Sequence, residues 1–298
     1  MTDKVSAVMT VAKALGGERT GTAHLLAGTL RAGSRVRRVL DAHDVTPVVV
    51  HAVLRSRAER WATPDDVPAA IDRARLAHGE PTAEQLLVTL LEDPLSHAGE
   101  LLRECGADVD AVREALISGR TPVRVERVPA DLVAVRNRLI GRTRYRGRGV
   151  RGYLRTAIVR ARVNYAETPV LWASLEADLI AKARGGPKRT DDVLRAMLMT
   201  YEVVCAYPHL PGPAHERYEG VRALVEVGVD WRRLAGWDCG EEDRVPVREL
   251  LKPGADWPED TSALLGVLVS HPGNRAGRLL AENLVRVACV PPLSVDAS

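Results

Sequence analysis

The side chains able to do chemistry stand at the heads of apolar runs rather than in clusters. Thr22 and His24 sit in Thr20-Gly21-Thr22-Ala23-His24-Leu25-Leu26, and Glu84 and Gln85 in Pro81-Thr82-Ala83-Glu84-Gln85-Leu86-Leu87. Thr190 and Asp191 occupy the same place in Thr190-Asp191-Asp192-Val193-Leu194, and Ser262 in Thr261-Ser262-Ala263-Leu264-Leu265. A hydroxyl followed by a carboxylate, amide or imidazole can cap a helix start. Other chemistry lacks its residues. There is no Gly-x-Ser-x-Gly and no His-Glu-x-x-His, and the eight histidines are scattered. Cys105, Cys205, Cys239 and Cys289 form no Cys-x-x-Cys pair and read as reduced thiols, not metal ligands. Gly147–Gly152 satisfies Gly-x-Gly-x-x-Gly, but Arg142-Thr143-Arg144-Tyr145-Arg146 precedes it where a strand belongs. After Gly16–Gly21, Thr22 stands where a phosphate-binding lysine belongs. No enzyme activity, cofactor or metal is expected.

The elements that position these residues are helical. A helix is expected from Asp3 to Leu15, another from Thr22 as N-cap to near Gly33, a third from Ser34 through Leu40, and a fourth from Pro47 to Leu54. The pattern then repeats. Thr63-Pro64 begins a helix stopped at Gly79, Thr82 with Gln85 makes a capping box, and helices follow around Leu101-Leu102 and Val109–Leu116. Apolar pairs Val39-Leu40 and Leu101-Leu102 follow each Leu-Leu pair at similar distance, the mark of stacked helical units sharing a core. A weaker version runs through Thr168-Pro169 with Leu171, Leu175 and Leu179, Thr190–Leu194, Val221–Val227 after a Pro-rich insertion, Thr261–Leu265 and Leu279-Leu280. Aromatics are 4% with no Phe, so the cores rest on Leu, Val and Ala.

The doubled phrase resembles the amino-terminal domain of the Clp protease chaperones, whose repeats carry a Gly-Thr-Glu-His-hydrophobic signature. The resemblance covers about residues 1–118 and implies an all-α fold of two four-helix repeats. In that family two ATPase modules follow, and no such module is written in residues 121–298. The family's signature glutamates help bind phosphorylated arginine. By position Ala23 replaces the first glutamate with His24 kept, Glu84 keeps the second with Gln85 in place of histidine, and Asp191 and Ser262 hold the later positions. The family also takes cyclic-peptide antibiotics on aromatic residues, one of which corresponds to Ala62, with Trp61 beside it as a shifted apolar surface. Against these implied roles stands the plainer one, that the residues start helices.

Charge is segregated. Residues 129–166 hold ten arginines against Asp131, net +9, whereas residues 1–128 hold 17 basic and 18 acidic side chains and residues 167–298 hold 15 and 20. Arg142, Arg144, Arg146, Arg148 and Arg151 form the centre of this basic patch, with Tyr145 and Tyr153 interleaved. Three roles are open to it: packing against the acidic flanks, docking an acidic protein, or binding nucleic acid by counterion release. The balance of the sequence is against nucleic acid. No apolar run approaches the ~18 residues that span a bilayer, so a cytoplasmic protein with no membrane association is expected.

The expected architecture is all-α: tandem repeat domains at 1–120 and 166–290, an Arg-rich helical linker at 121–165 and a tail at 291–298. The expected role is a binding protein, an adaptor, competitor or decoy for protein segments or peptide-like ligands of the Clp chaperone–protease. The alternative is a nucleic-acid-binding regulator acting through residues 136–162.

Overall fold

Helix starts set the architecture. In the computed structural model, which describes residues 4–61, 66–145, 164–237, 240–252, 254 and 257–288, every regular element among the described residues is helical and there is no strand. The chain clusters into two units, residues 1–144 with 207–212, and residues 145–206 with 213–298. No helix among the described residues is long and apolar enough to cross a membrane.

The first unit holds α1 (Lys4–Gly16), α2 (Thr22–Ala32), α3 (Ser34–Ala42), α4 (Pro47–Ser56), α5 (Val67–His78), α6 (Ala83–Glu92), α7 (His97–Glu104), α8 (Val109–Ser118) and α9 (Val133–Leu139). Side-chain caps explain most of the boundaries: Thr46 accepts from Val49 N–H, Asp66 from Ala69 N–H, Ser96 from Ala98 N–H, and Asp108 from Asp110 and Ala111 N–H. The expected start at Thr63-Pro64 lies outside the described residues, and α5 begins instead under the Asp66 cap. Helix α2 is central, with Thr22 through Leu30 all buried, and it packs on α1, α3, α4, α6 and α7. It lies so close to α1 that a Cβ on Gly28 would come within 2.4 Å of the Val8 carbonyl oxygen. Leu25, Leu26, Leu86, Leu87, Leu90, Leu101 and Leu102 are fully buried around it.

The second unit holds α10 (Pro169–Arg184), α11 (Thr190–Ala206), α12 (Glu219–Glu226), α13 (Trp231–Ala235), α14 (Val247–Leu250), α15 (Thr261–Val269) and α16 (Arg275–Ala288). Helix α11 packs on α10, α12, α13, α15 and α16. The core side of α10 is Val170, Trp172, Ala173, Ala177 and Ala181, while the expected Leu171, Leu175 and Leu179 are only half-buried. The small alanines let α11 approach, which turns the leucines aside.

The stretch expected as a linker divides. Residues 121–144 belong to the first unit, where a 3-10 turn (Ala130–Leu132) leads into α9. Residues 146–163 of the expected helical linker lie outside the described residues.

Candidate functional site

The N-cap of α2 is Gly21, in extended conformation, and not the expected Thr22. Thr22 is the first residue inside the helix, and its hydroxyl is committed to the start of α7: Oγ1 accepts from Ser96 Oγ at 3.0 Å and from Ala98 N–H at 3.3 Å. His24 Nδ1 accepts from Gly21 N–H at 3.2 Å. Both side chains are buried. At α6 the capping box forms as expected, with Thr82 Oγ1 accepting from Gln85 N–H at 3.2 Å and Gln85 Oε1 from Thr82 N–H at 2.8 Å.

The same bonds recur in the second unit. Asp192 Oδ2 accepts from Arg189 N–H at 2.9 Å, as His24 and Gln85 do at their own helix starts. Thr190 Oγ1 accepts from Ala276 N–H at 2.9 Å, in the first turn of α16, and donates to Asp243 at 2.6 Å. Thr261 Oγ1 accepts from Val221 N–H at 3.2 Å in α12 and donates to the Arg217 carbonyl at 3.0 Å. In three of these helices a buried threonine at the first position therefore ties one helix start to the start of another. At α6 the first position is Ala83, whose Cβ would stand 3.0 Å from a Cβ added to Gly33, the N-cap of α3.

The second helical position is the one the resemblance assigns to ligand carboxylates. Ala23 is buried, Glu84 and Asp191 are half-buried, and Ser262 is exposed. Asp191 Oδ2 accepts from Arg275 Nε at 3.0 Å, and that arginine, itself buried, also donates to the Glu241 carbonyl at 2.8 Å and lies 5.6 Å from the Trp237 ring centre. Burial raises the Asp191 carboxyl above its ordinary value; the Arg275 hydrogen bond and charge oppose the rise, and Asp192 and Asp243 add to it. Thr22 and His24 on α2, Glu84 and Gln85 on α6, and Thr190 and Asp191 on α11 thus stand at separate helix starts.

Trp61 does not form an apolar surface. It is 3% exposed, its ring edge-on to His97 at 5.8 Å, because the indole fills the space beside the first turn of α7. An open apolar feature lies elsewhere, a groove of about 360 Å³ between α1 and α5 lined by Val5, Met9, Val67 and Ile71 with Ser6, Pro68, Asp72 and Arg75. Sequence reading found α1 as an apolar helix, yet Val8 and Ala12 are the residues sealed inside, and Met9 is left half-exposed at the groove.

Within the basic patch Arg142 is held in cis. Arg142 donates from Nε to Asp41 at 2.7 Å and its Nη2 lies 2.8 Å from Asp44. Arg144 is exposed, and Arg146, Arg148 and Arg151 lie outside the described residues. Tyr145 is no stacking surface: it is buried, donates to the Glu176 carboxylate and meets Tyr165 edge-on at 5.1 Å. Arg136, fully buried, donates to both oxygens of Asp44 at 3.0 and 3.2 Å, to Tyr207 Oη at 3.1 Å and to Glu126 at 2.6 Å. Tyr207 Oη donates to Asp44 at 2.5 Å, and burial, reinforced by that bond, pushes its phenol up to about 12. Asp44 reaches this position with φ at 63°, a backbone conformation aspartate tolerates better than most residues. Nothing in the one-dimensional pattern singles out Asp44 or Tyr207, which stand 163 residues apart.

Among the described residues no group of three His, Cys, Asp or Glu side chains could hold a metal ion. No family model, curated protein or solved structure matches this chain.

Proposed function

We propose that the protein is a non-enzymatic binding module of the Clp amino-terminal kind, with a diverged second repeat pair in residues 166–290. It takes a short apolar protein segment or peptide-like ligand in the groove between α1 and α5 and acts as an adaptor, competitor or decoy for the Clp chaperone–protease. The groove is the observation that carries this reading: Val5, Met9, Val67 and Ile71 line it and Asp72 and Arg75 offer polar ends, the apolar lining with few polar groups that ligand sites share. The recurrent threonine bonds at the helix starts support a common repeat scaffold. The carboxylate positions support a phosphoarginine ligand less well, since Ala23 is buried and Asp191 is already engaged by Arg275.

The test is a binding screen of fluorescent apolar peptides and a cyclic peptide against the full chain, followed by capture of purified Clp chaperone. Met9→Glu and Val67→Glu should abolish peptide binding. Leu95→Lys, at an exposed position off the groove, should leave it intact. Peptide binding that survives both groove substitutions in folded protein rules the groove out. Capture of nucleic acid instead, lost on nuclease treatment, favours the regulator.

A further inference from the structure

Between α8 and α9 the chain runs from Arg120 to Arg127 without helix, turn or bend. Alternate side chains pin it to the first unit. Arg124 pairs with Asp41 at 2.5 Å and Glu126 with Arg136 at 2.6 Å, and Val128 is buried beyond them. Of the side chains in between, Val123 and Val125 face away, 91% and 76% exposed, while Arg127 turns back and donates to the Gly106 carbonyl at 2.6 Å. This alternation has the period of two that belongs to a β-strand. Among the described residues, no backbone–backbone hydrogen bond involves residues 121–128. It is an extended segment outside any sheet, and free strand edges are templates for pairing.

Its two edges are not equivalent. Successive residues of an extended chain aim their backbone groups to opposite sides, so one edge belongs to Pro122, Arg124 and Glu126 and the other to Thr121, Val123, Val125 and Arg127. Proline has no N–H, which breaks the first edge. The second is whole.

We propose that this edge pairs with the same edge of a second copy of the chain, antiparallel and centred on Val125. The segment is complementary to itself in that register. Val125 meets Val125 of the second copy, and Arg124 lies opposite Glu126 of the second copy on both sides of the centre, so the pairs these residues already make with Asp41 and Arg136 each gain a cross-strand neighbour of opposite charge. Centring on Arg124 would set like charges face to face, and centring on Val123 would place Pro122 opposite Arg124 and Val125 opposite Thr121. The ribbon is short and its area lies well below that of a standard stable interface, so the dimer is weak and concentration-dependent.

Sedimentation velocity of the full chain, from about 1 μM to about 1 mM, should show a monomer–dimer equilibrium. As concentration rises, amide exchange at Val123, Val125 and Arg127 should slow, while Arg124 and Glu126 should be unchanged. Val125→Pro removes a paired N–H at an exposed position and should weaken the dimer by roughly tenfold or more without changing helix content. Leu95→Lys, on a separate exposed position, should not. A monomer across the range, a dimer indifferent to Val125→Pro, or a dimer without alternate-amide protection would each overturn the proposal.

Discussion

At Asp44 one carboxylate serves a buried guanidinium, a second arginine and a phenol at once. Removing it leaves Arg136 charged and buried with Glu126, Asn137 and the Tyr207 hydroxyl beside it. Asp44→Ala should therefore cost about 3–5 kcal/mol in chemical denaturation, and Tyr207→Phe about 1–3 kcal/mol. Because the folded-state pKa of Tyr207 lies near 12, above its unfolded value of about 10, the contribution is complete below about pH 10 and is lost as pH rises toward 12. His209 has the opposite sign. Burial, then the charges of Arg127 and Arg57, lower it to about 4, so its stability is complete above about pH 6.5 and is lost as pH falls toward 4. Thermal melts across pH 4–7 should show that decline, and His209→Gln should flatten it. Ala23 makes a related point. It is 1% exposed, so Ala23→Glu would bury a carboxylate without a partner and should lower the melting temperature rather than create a ligand site.

At the scale of elements, contact between α1 and α2 depends on Gly28. Its Cβ would meet a backbone oxygen that has no rotamer to escape into. Gly28→Ala should cost roughly 1–3 kcal/mol and expose α1 to protease. Leu26→Ala and Leu87→Ala, each at a fully buried site, should cost roughly 2–5 kcal/mol by leaving cavities around α2 and α6. Denaturant titration of the three variants checks both expectations.

For the whole molecule the net charge of +3 is a poor guide to partners. The arginine stretch looks like a polyanion surface on paper, yet Arg136 and Arg142 are spent on Asp41, Asp44 and Glu126. Arg144 is the exposed arginine of the stretch among its described residues 136–145. Mobility-shift titration at about 150 mM salt should show no submicromolar binding to DNA or RNA, with any low-salt association falling steeply as salt rises.

Sequence by itself determined the helices. The apolar spacing of Leu25, Leu26 and Leu30, the Thr82–Gln85 box and the Pro47 and Pro169 starts are local signals, and local backbone hydrogen bonding is what a helix is made of. A threonine at the first helical position ties one helix start to another at Thr22, Thr190 and Thr261, though not at α6. Tertiary structure decided everything that joins distant segments. Thr22 spends its hydroxyl on α7 rather than on its own helix, Trp61 turns inward, and residues 207–212 belong to the first unit. It also left a groove between α1 and α5. The reason is that a side chain's exposure and hydrogen-bond partner are set by what packs against its helix. That information is carried by contacts across as many as 163 residues, not by the residue's neighbours in the chain.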